Sequence, residues 1–159
     1  LDQILNLFPE RVAHVSGHNH KRLWDHVTNA DHAEVAITFA DGRTASFINS
    51  DLAAARKPKF YALGTTGAII GEWDLTAEPA VADLPAKVFL IDSSGTRTKI
   101  QLDLVPPYEF HREFAALLHG NDSMQVQAVD SRDVVALMEA AEISAAHNGI
   151  PESPVLLNN

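Results

Sequence analysis

Apolar residues at the start of the chain recur with the spacing of a helix. Leu1, Ile4, Leu5 and Phe8 are three or four residues apart, which places them on one helical face. The spacing predicts a helix over residues 1–8. No capping residue precedes this helix and the first residue is not Met, so we expect the chain to be a piece of a longer polypeptide.

Strands are predicted next, beginning with residues 11–23 and followed by a polar loop at 24–32. Alternation then predicts a hairpin over residues 34–47. A three-residue loop at 40–42 keeps the apolar faces matched, with Val35 opposite Phe47 and Ile37 opposite Ala45, whereas a two-residue turn does not. Gly42 would then hold the left-handed position of the turn.

Two further strand pairs are predicted downstream. They comprise 59–63 with 68–73 around a glycine-bounded turn, and 87–91 with 97–104 around a turn at 93–95. Residues 74–85 contain two prolines and predict an irregular segment.

Helices return in the last third of the chain. A helix after Pro106-Pro107 carries Phe110, Phe114, Leu117 and Leu118 on one face and ends at Gly120. The last helix is predicted with Asp130 as its N-cap and ends before Gly149. Its expected apolar stripe is Val134, Leu137, Met138, Ala141 and Ala145. Its centre is rich in Ala and Ser, so we expect it to pack closely against its neighbour.

This order of elements predicts an α+β fold. We expect one domain over residues 1–159, an open and largely antiparallel β-sheet with helices packed on one face. The other sheet face is expected to lack a partner within the chain, and an exposed face of that kind favours self-association.

Composition and charge limit the classes of function that the chain can have. The 159 residues carry a formal net charge of −9, which disfavours binding to nucleic acid and to anionic membranes. No apolar stretch is long enough to span a bilayer. The sequence contains no cysteine, which excludes thiolate chemistry and fits a cytoplasmic protein.

Histidines are the first candidates for chemistry. His14, His18 and His20 have the same parity on strand 11–23 and are either metal ligands or polar residues on a wet sheet face. No fourth ligand has a suitable spacing, so we predict no metal site. His26 and His32, near Asp25 and Asp31, are interpreted as solvated loop residues.

Gly64, Gly67 and Asp2 are further candidates for functional residues. Gly64 and Gly67 are followed by apolar strand residues rather than by a Lys and a helix, which indicates a turn and not a phosphate loop. No G-x-G-x-x-G motif and no G-x-S-x-G motif occurs. Asp2, in the first turn of the opening helix, is either a helix-end charge or a substrate-facing group.

The order of several short motifs resembles a known family. Leu-Asp opens the first helix, Pro-Glu-Arg-Val leads into a strand, Glu-Val-Ala-Ile-Thr-Phe-Ala-Asp-Gly forms the hairpin, and residues 63–69 and 139–151 follow. Together they resemble the carboxy-terminal domain of the Gfo/Idh/MocA family (glucose–fructose oxidoreductase and inositol dehydrogenase).

The resemblance implies that this domain is the second domain of a longer oxidoreductase. An NAD(P)-binding Rossmann domain would precede it. The domain itself would form one side of the binding site for a sugar, polyol or related compound, and it would form homo-oligomers through its open sheet face. By position, Asp2 matches a substrate-site Asp of the family. The family's catalytic Lys and Asp-x-x-x-His have no counterpart here, so the chain alone is expected to bind no cofactor and to be inactive. The alternative is a non-enzymatic, sheet-mediated dimerisation module.

Overall fold

A computed structural model describes residues 1–8, 10–55, 57–73, 86–103, 108–120 and 124–157. Three helices and seven strands lie in these ranges. In chain order they are α1 (Asp2–Leu7), β1 (Val12–His20), β2 (His32–Phe39), β3 (Thr44–Ser50), β4 (Phe60–Leu63), β5 (Gly67–Glu72), β6 (Lys87–Asp92), β7 (Arg97–Ile100), α2 (Glu109–Leu118) and α3 (Ala128–Ala146). The chain forms two compact units, Leu1–Ala53 with Phe110–Asn159, and Ala54–Glu109.

The first unit contains an antiparallel sheet in the order β1-β2-β3. Val35 pairs with Phe47 and Ile37 with Ala45, which confirms the predicted register. The Phe39 N–H donates to the Arg43 carbonyl at 2.9 Å, so the connection is a three-residue loop. Gly42 has φ +88°, the left-handed conformation that glycine adopts without a steric penalty.

One face of this sheet holds the core. Val15, Ile37, Phe39 and Leu137 are almost completely buried. The apolar stripe of α1 packs against the same cluster, and the predicted opening helix is confirmed. The core therefore joins β1, β2, α1 and α3.

The helix α3 crosses β1 at unusually short range. A Cβ atom placed on Gly17 would lie 2.0 Å from the carbonyl oxygen of Ala141. The Gly17 N–H donates to Ser144 Oγ at 3.0 Å. The predicted close packing of the Ala- and Ser-rich helix is thus confirmed.

Two details of α3 were predicted wrongly. The N-cap is Gln127, and Asp130 is the third helical residue, whose carboxylate accepts the Gln127 N–H in a capping box. The buried face also differs from the predicted stripe: Met138 is exposed and Val134 is half-buried. The buried residues are Asp133, Ala136, Leu137, Ala140, Ala141 and Ser144, mostly small because the sheet backbone lies so close.

The segment after α3 returns along the outer edge of β1. Val15 and Glu152 exchange both backbone hydrogen bonds, at 2.8 and 2.9 Å. Ser153 Oγ donates to the Ala13 carbonyl at 3.1 Å. The tail therefore adds one bridge to the sheet beside β1. As predicted, α3 ends before Gly149, which has φ +80°.

The second unit is an antiparallel sheet in the order β4-β5-β6-β7. Both predicted hairpins are present, and the Gly64 N–H closes the first by donating to Gly67 at 2.8 Å. The Arg97 guanidinium lies 3.7 Å above the Phe89 ring and pairs with Glu72 at 2.7 Å. The last strand ends at Ile100, earlier than predicted.

The α+β class with antiparallel sheets and helices is confirmed, although the strands form two sheets separated in sequence by the polar link 51–59. The helix α2 ends before Gly120, as predicted. The predicted irregular segment 74–85, Leu104 and Pro106-Pro107 lie outside the described residues. The single domain over 1–159 stays a prediction. No described helix has the length and apolar character needed to cross a membrane.

Candidate functional site

The first unit contains a groove of about 710 Å³. It lies among α1, the start of β1, the first turns of α3 and residues 156–157. Its apolar lining includes Leu5, Phe8 and Val12. Its polar and charged lining residues are Asp2, Asn6, Glu10, Arg11, Gln125, Asp130 and Asp133.

Asp2 is the predicted substrate-site residue, and it lies on the wall of this groove. It is exposed in the first turn of α1, where the helix dipole favours a carboxylate. Among the residues that the structure describes, none forms a hydrogen bond with the Asp2 side chain. Its acceptor oxygens are therefore available to a ligand.

Glu10, in contrast, is engaged by a neighbour. Its carboxylate pairs with the Arg43 guanidinium, which also pairs with Asp41 and lies 5.2 Å from the centre of the Phe8 ring. The hydrogen bonds that the Arg43 guanidinium donates to Glu10 and then to Asp41 raise the pKa of Arg43 above its ordinary value. This cluster fixes the edge of the groove where α1 ends.

Asp133 and Asp130 form the opposite wall. Asp133 is 5% exposed, and its Oδ1 accepts the Leu157 N–H at 2.8 Å. Asp130 accepts the Gln127 N–H at 3.0 Å and caps α3. The sequence analysis interpreted Asp130 only as a helix cap and did not identify Asp133 as part of a site. The available signal was that Asp133 lies four residues before Leu137, on the same buried face.

The groove thus combines an apolar floor with hydrogen-bond acceptors around it. Four carboxylates and one guanidinium, that of Arg11, line it. This charge balance disfavours an anionic ligand, whereas carboxylates accept hydrogen bonds well from neutral hydroxyl groups. The groove is therefore suited to a neutral, hydroxyl-bearing molecule.

The three strand histidines do share one sheet face, as predicted from their parity. They are paired in register with Thr38, Glu34 and His32, respectively. His18 lies against Gly149, and the His20 ring is 5.7 Å from that of His32. Within the described ranges, no group of three or more His, Asp or Glu side chains is arranged to hold a metal.

The interpretation of His32 as a solvated loop residue was wrong, because His32 is the half-buried first residue of β2. Its neighbour Asp31 is buried at the end of the loop. It is 1% exposed, and its Oδ2 accepts N–H groups of Arg22, Leu23 and Trp24 at 2.8, 2.6 and 3.1 Å. Burial opposes its ionisation, but the three hydrogen bonds outweigh that effect and lower the pKa of Asp31. Asp31 therefore organises the loop between β1 and β2.

The residues that the structure describes do not fit a dinucleotide. The Gly64–Gly67 turn joins β4 directly to β5, so no helix N-terminus follows it to receive a phosphate. The described residues provide no glycine-rich turn that leads from a strand into a helix.

The similarity of the chain to a known family lies in its first part. Residues 1–70 match the sequence model of the GFO/IDH/MocA C-terminal domain. The resemblance drawn from the motifs is therefore confirmed. No curated protein sequence matches the chain.

Solved structures share the fold of this chain. A protein from Klebsiella pneumoniae described as an oxidoreductase is 22% identical, with a TM-score of 0.77, over 98% of this chain and 46% of its own. An NAD-binding protein from Listeria innocua is 23% identical, with a TM-score of 0.68, over 93% of this chain and 43% of its own.

A third similar structure is an aldose-aldose oxidoreductase from Caulobacter crescentus, complexed with glycerol. It is 15% identical, with a TM-score of 0.70, over 92% of this chain and 43% of its own. The chain thus spans less than half the length of these proteins.

Proposed function

We propose that this chain forms the substrate-side wall of an NAD- or NADP-dependent oxidoreductase acting on a sugar, polyol or related hydroxyl or carbonyl compound. The observation that carries the proposal is the acceptor-rich groove with the available carboxylate of Asp2. The fold shared with an aldose-aldose oxidoreductase and with an NAD-binding protein supports it.

Asp2 is proposed to bind and orient the substrate. Its carboxylate would accept hydrogen bonds from substrate hydroxyl groups, while the apolar floor formed by Leu5 and Phe8 contacts the carbon skeleton. A fixed orientation is what a bound substrate needs before it reacts. No catalytic residue is assigned within this chain.

The cofactor would bind in a different part of a longer protein, because the described residues do not fit a dinucleotide. This chain by itself is proposed to be inactive. The absence of cysteine supports a cytoplasmic location for such a protein.

The proposal also includes a homo-oligomer formed through an open sheet face. Exposed strand residues in both units support it. In the second unit, Ile69, Leu90 and Ile100 are between 38 and 46% exposed. Monomers seldom expose apolar side chains in such a row across neighbouring strands.

The test is an assay of the gene product that contains this chain. Reduction of NAD⁺ or NADP⁺ would be followed with a panel of neutral polyols and aldoses. We expect Asp2→Ala to raise KM on the order of tenfold, the loss of about one charge-assisted hydrogen bond. Gln3→Ala is the matched control, since Gln3 is exposed on the same helix and does not line the groove. Equal kinetics of the two variants would contradict the role of Asp2.

A second candidate is a non-enzymatic dimerisation module, favoured by the same exposed strand residues of the second unit. The two candidate functions differ in whether the gene product catalyses reduction of NAD⁺ or NADP⁺. A gene product that self-associates but reduces neither nucleotide with any member of the panel would support the module and contradict the enzyme.

A further inference from the structure

The tail, residues 151–157, contributes to the groove as well as to the sheet. Leu156 and Leu157 are its two residues that line the groove. Leu156 is half-buried and packs against the core cluster, whereas Leu157 is 62% exposed. Leu157 is therefore the tail residue that a molecule in the groove can contact most fully.

The backbone of the tail is held at several points along its length. The bridge to β1 holds its start, and the Arg132 guanidinium donates to the Val155 carbonyl. Beyond these contacts, the Leu157 N–H donates to Asp133 Oδ1 at 2.8 Å. A segment that is fixed on both sides of Leu156 keeps its side chains in one place, as the wall of a binding site requires.

Asp133 is an unusual residue to hold this position. It is only 5% exposed, although a carboxylate is costly to bury. The N–H group of Leu157 offsets part of that cost, and the same hydrogen bond fixes the backbone of Leu157 against α3. Asp133 thus connects the buried side of α3 with the exposed tail side chain of the groove.

The chemistry of Leu157 differs from that of its neighbours in the groove. The lining residues of α3 are Asp130 and Asp133, both of which carry hydrogen-bond acceptors. The Leu157 side chain offers none. Each additional carbon of a polyol brings another hydroxyl group, and a hydroxyl group that is desolvated against an apolar side chain lacks a partner. Leu157 therefore disfavours long polyols both by the space it occupies and by the partner it does not provide.

We propose that Leu157 is a specificity-determining residue that limits the length of the hydroxyl compound in the groove, and that Asp133 is the positioning residue that holds it there. The inference rests on the proposed function, since it requires that the groove bind the substrate. It adds a limit on substrate length and assigns a role to a buried carboxylate.

The ratio of kcat/KM between long and short substrates tests the inference in the gene product that contains this chain. The pairs are sorbitol against erythritol and glucose against threose. We expect Leu157→Ala to raise this ratio by about fivefold and Leu157→Phe to lower it, because a small change of apolar volume alters specificity by about tenfold in an enclosed pocket and Leu157 is partly open to solvent. Val155→Ala is the matched control, since Val155 is 73% exposed in the same tail and does not line the groove.

The role of Asp133 is tested by the same ratio. Asp133→Ala removes the acceptor of the Leu157 N–H, so the ratio should shift in the direction seen for Leu157→Ala. Asp133→Asn retains an oxygen acceptor and should keep most of the wild-type ratio. The double variant Asp133→Ala with Leu157→Ala should shift the ratio no further than Leu157→Ala alone, because both changes act through one contact. A merely structural role for Asp133 would lower the Tm and leave the ratio unchanged.

The two Leu157 variants carry the test where Asp133→Ala does not fold, as judged by circular dichroism. An active enzyme in which neither Leu157 variant shifts the ratio, or in which Val155→Ala shifts it equally, would overturn the inference and leave the proposed function intact. A gene product that reduces neither nucleotide with any of the four substrates or the wider panel would contradict the proposed function, and the limit on substrate length with it.

Discussion

Gly17 of β1 lies directly against the Ala141 carbonyl of α3, so close that a Cβ atom on Gly17 would be 2.0 Å from that oxygen. Helix and strand backbones meet at this point without an intervening side chain. This distance accounts for the small size of most other buried residues on α3, Ala136, Ala140 and Ser144.

Replacing Gly17 by Ala should therefore be costly. The added methyl group meets backbone rather than a mobile side chain, so α3 must shift, and we expect a loss of about 3 kcal/mol in unfolding free energy. Urea denaturation measures it. Gly42→Ala is the comparison, since it introduces strain at positive φ but no contact, and should cost only about 1 kcal/mol. A smaller loss for Gly17→Ala than for Gly42→Ala would refute the close approach.

Ser144 provides a hydrogen-bond acceptor for the backbone of β1 where α3 crosses it. It is fully buried, and its hydroxyl accepts the Gly17 N–H at 3.0 Å. Ser144→Ala leaves that donor unpaired in the core, which should lower the unfolding free energy by about 1–2 kcal/mol. Ser131→Ala, on an exposed position of the same helix, should have almost no effect. Equal melting temperatures for the two variants would show that the hydrogen bond does not matter.

Leu137 and Met138 test which face of α3 is buried. Leu137 is fully buried and Met138 is 55% exposed. We expect Leu137→Ala to lower the unfolding free energy by about 3 kcal/mol through the cavity it leaves. Met138→Ala should change it by less than about 0.5 kcal/mol. The sequence-based stripe, which buries both residues, predicts substantial losses for both variants.

Asp31 should contribute stability that depends on pH. Its pKa is lower in the folded protein than in the unfolded chain, so its contribution is present above the unfolded pKa and is lost as pH falls through the folded pKa. Asp31→Asn should lower the Tm at about pH 7 by roughly 5 °C, because three buried N–H groups lose a charged acceptor.

The difference in Tm between wild type and Asp31→Asn should shrink as pH falls below about 4, because the unfolded chain then takes up a proton at the ordinary Asp pKa while the lower pKa of the folded protein still keeps the carboxylate ionised. Asp25→Asn is the control, since Asp25 is exposed in the same loop. A Tm difference that stays constant down to about pH 3 would contradict ionisation of Asp31 as its source.

Local patterns predicted most of the elements. The three-residue loop at 40–42 follows from alternation alone, because only that length keeps Val35 and Phe47 on one face. The end of α3 follows from Gly149 and Pro151 for a similarly local reason. Turns and helix ends that depend on a few neighbouring residues can therefore be predicted from the sequence.

Long-range contacts were harder to predict. The buried face of α3 is determined by Gly17, more than a hundred residues earlier, and no periodicity within the helix encodes it. The burial of Asp31 could not be predicted either, because it depends on hydrogen bonds from the backbone of residues 22–24, and nothing in the local sequence distinguishes Asp31 from its polar neighbours. The position of Asp2 on the groove was predicted by family resemblance, but Glu10, Asp130 and Asp133 join it only through tertiary packing.

The bridge between Val15 and Glu152 has a consequence for aggregation. An unpaired strand edge can recruit extended segments of other molecules, which is how amyloid-like stacking begins. Here the two hydrogen bonds of Glu152 and the contact from Ser153 occupy the outer edge of β1. Residues after Pro151 thus shield part of the edge strand β1 from edge-to-edge polymerisation, a protective role that is independent of any ligand.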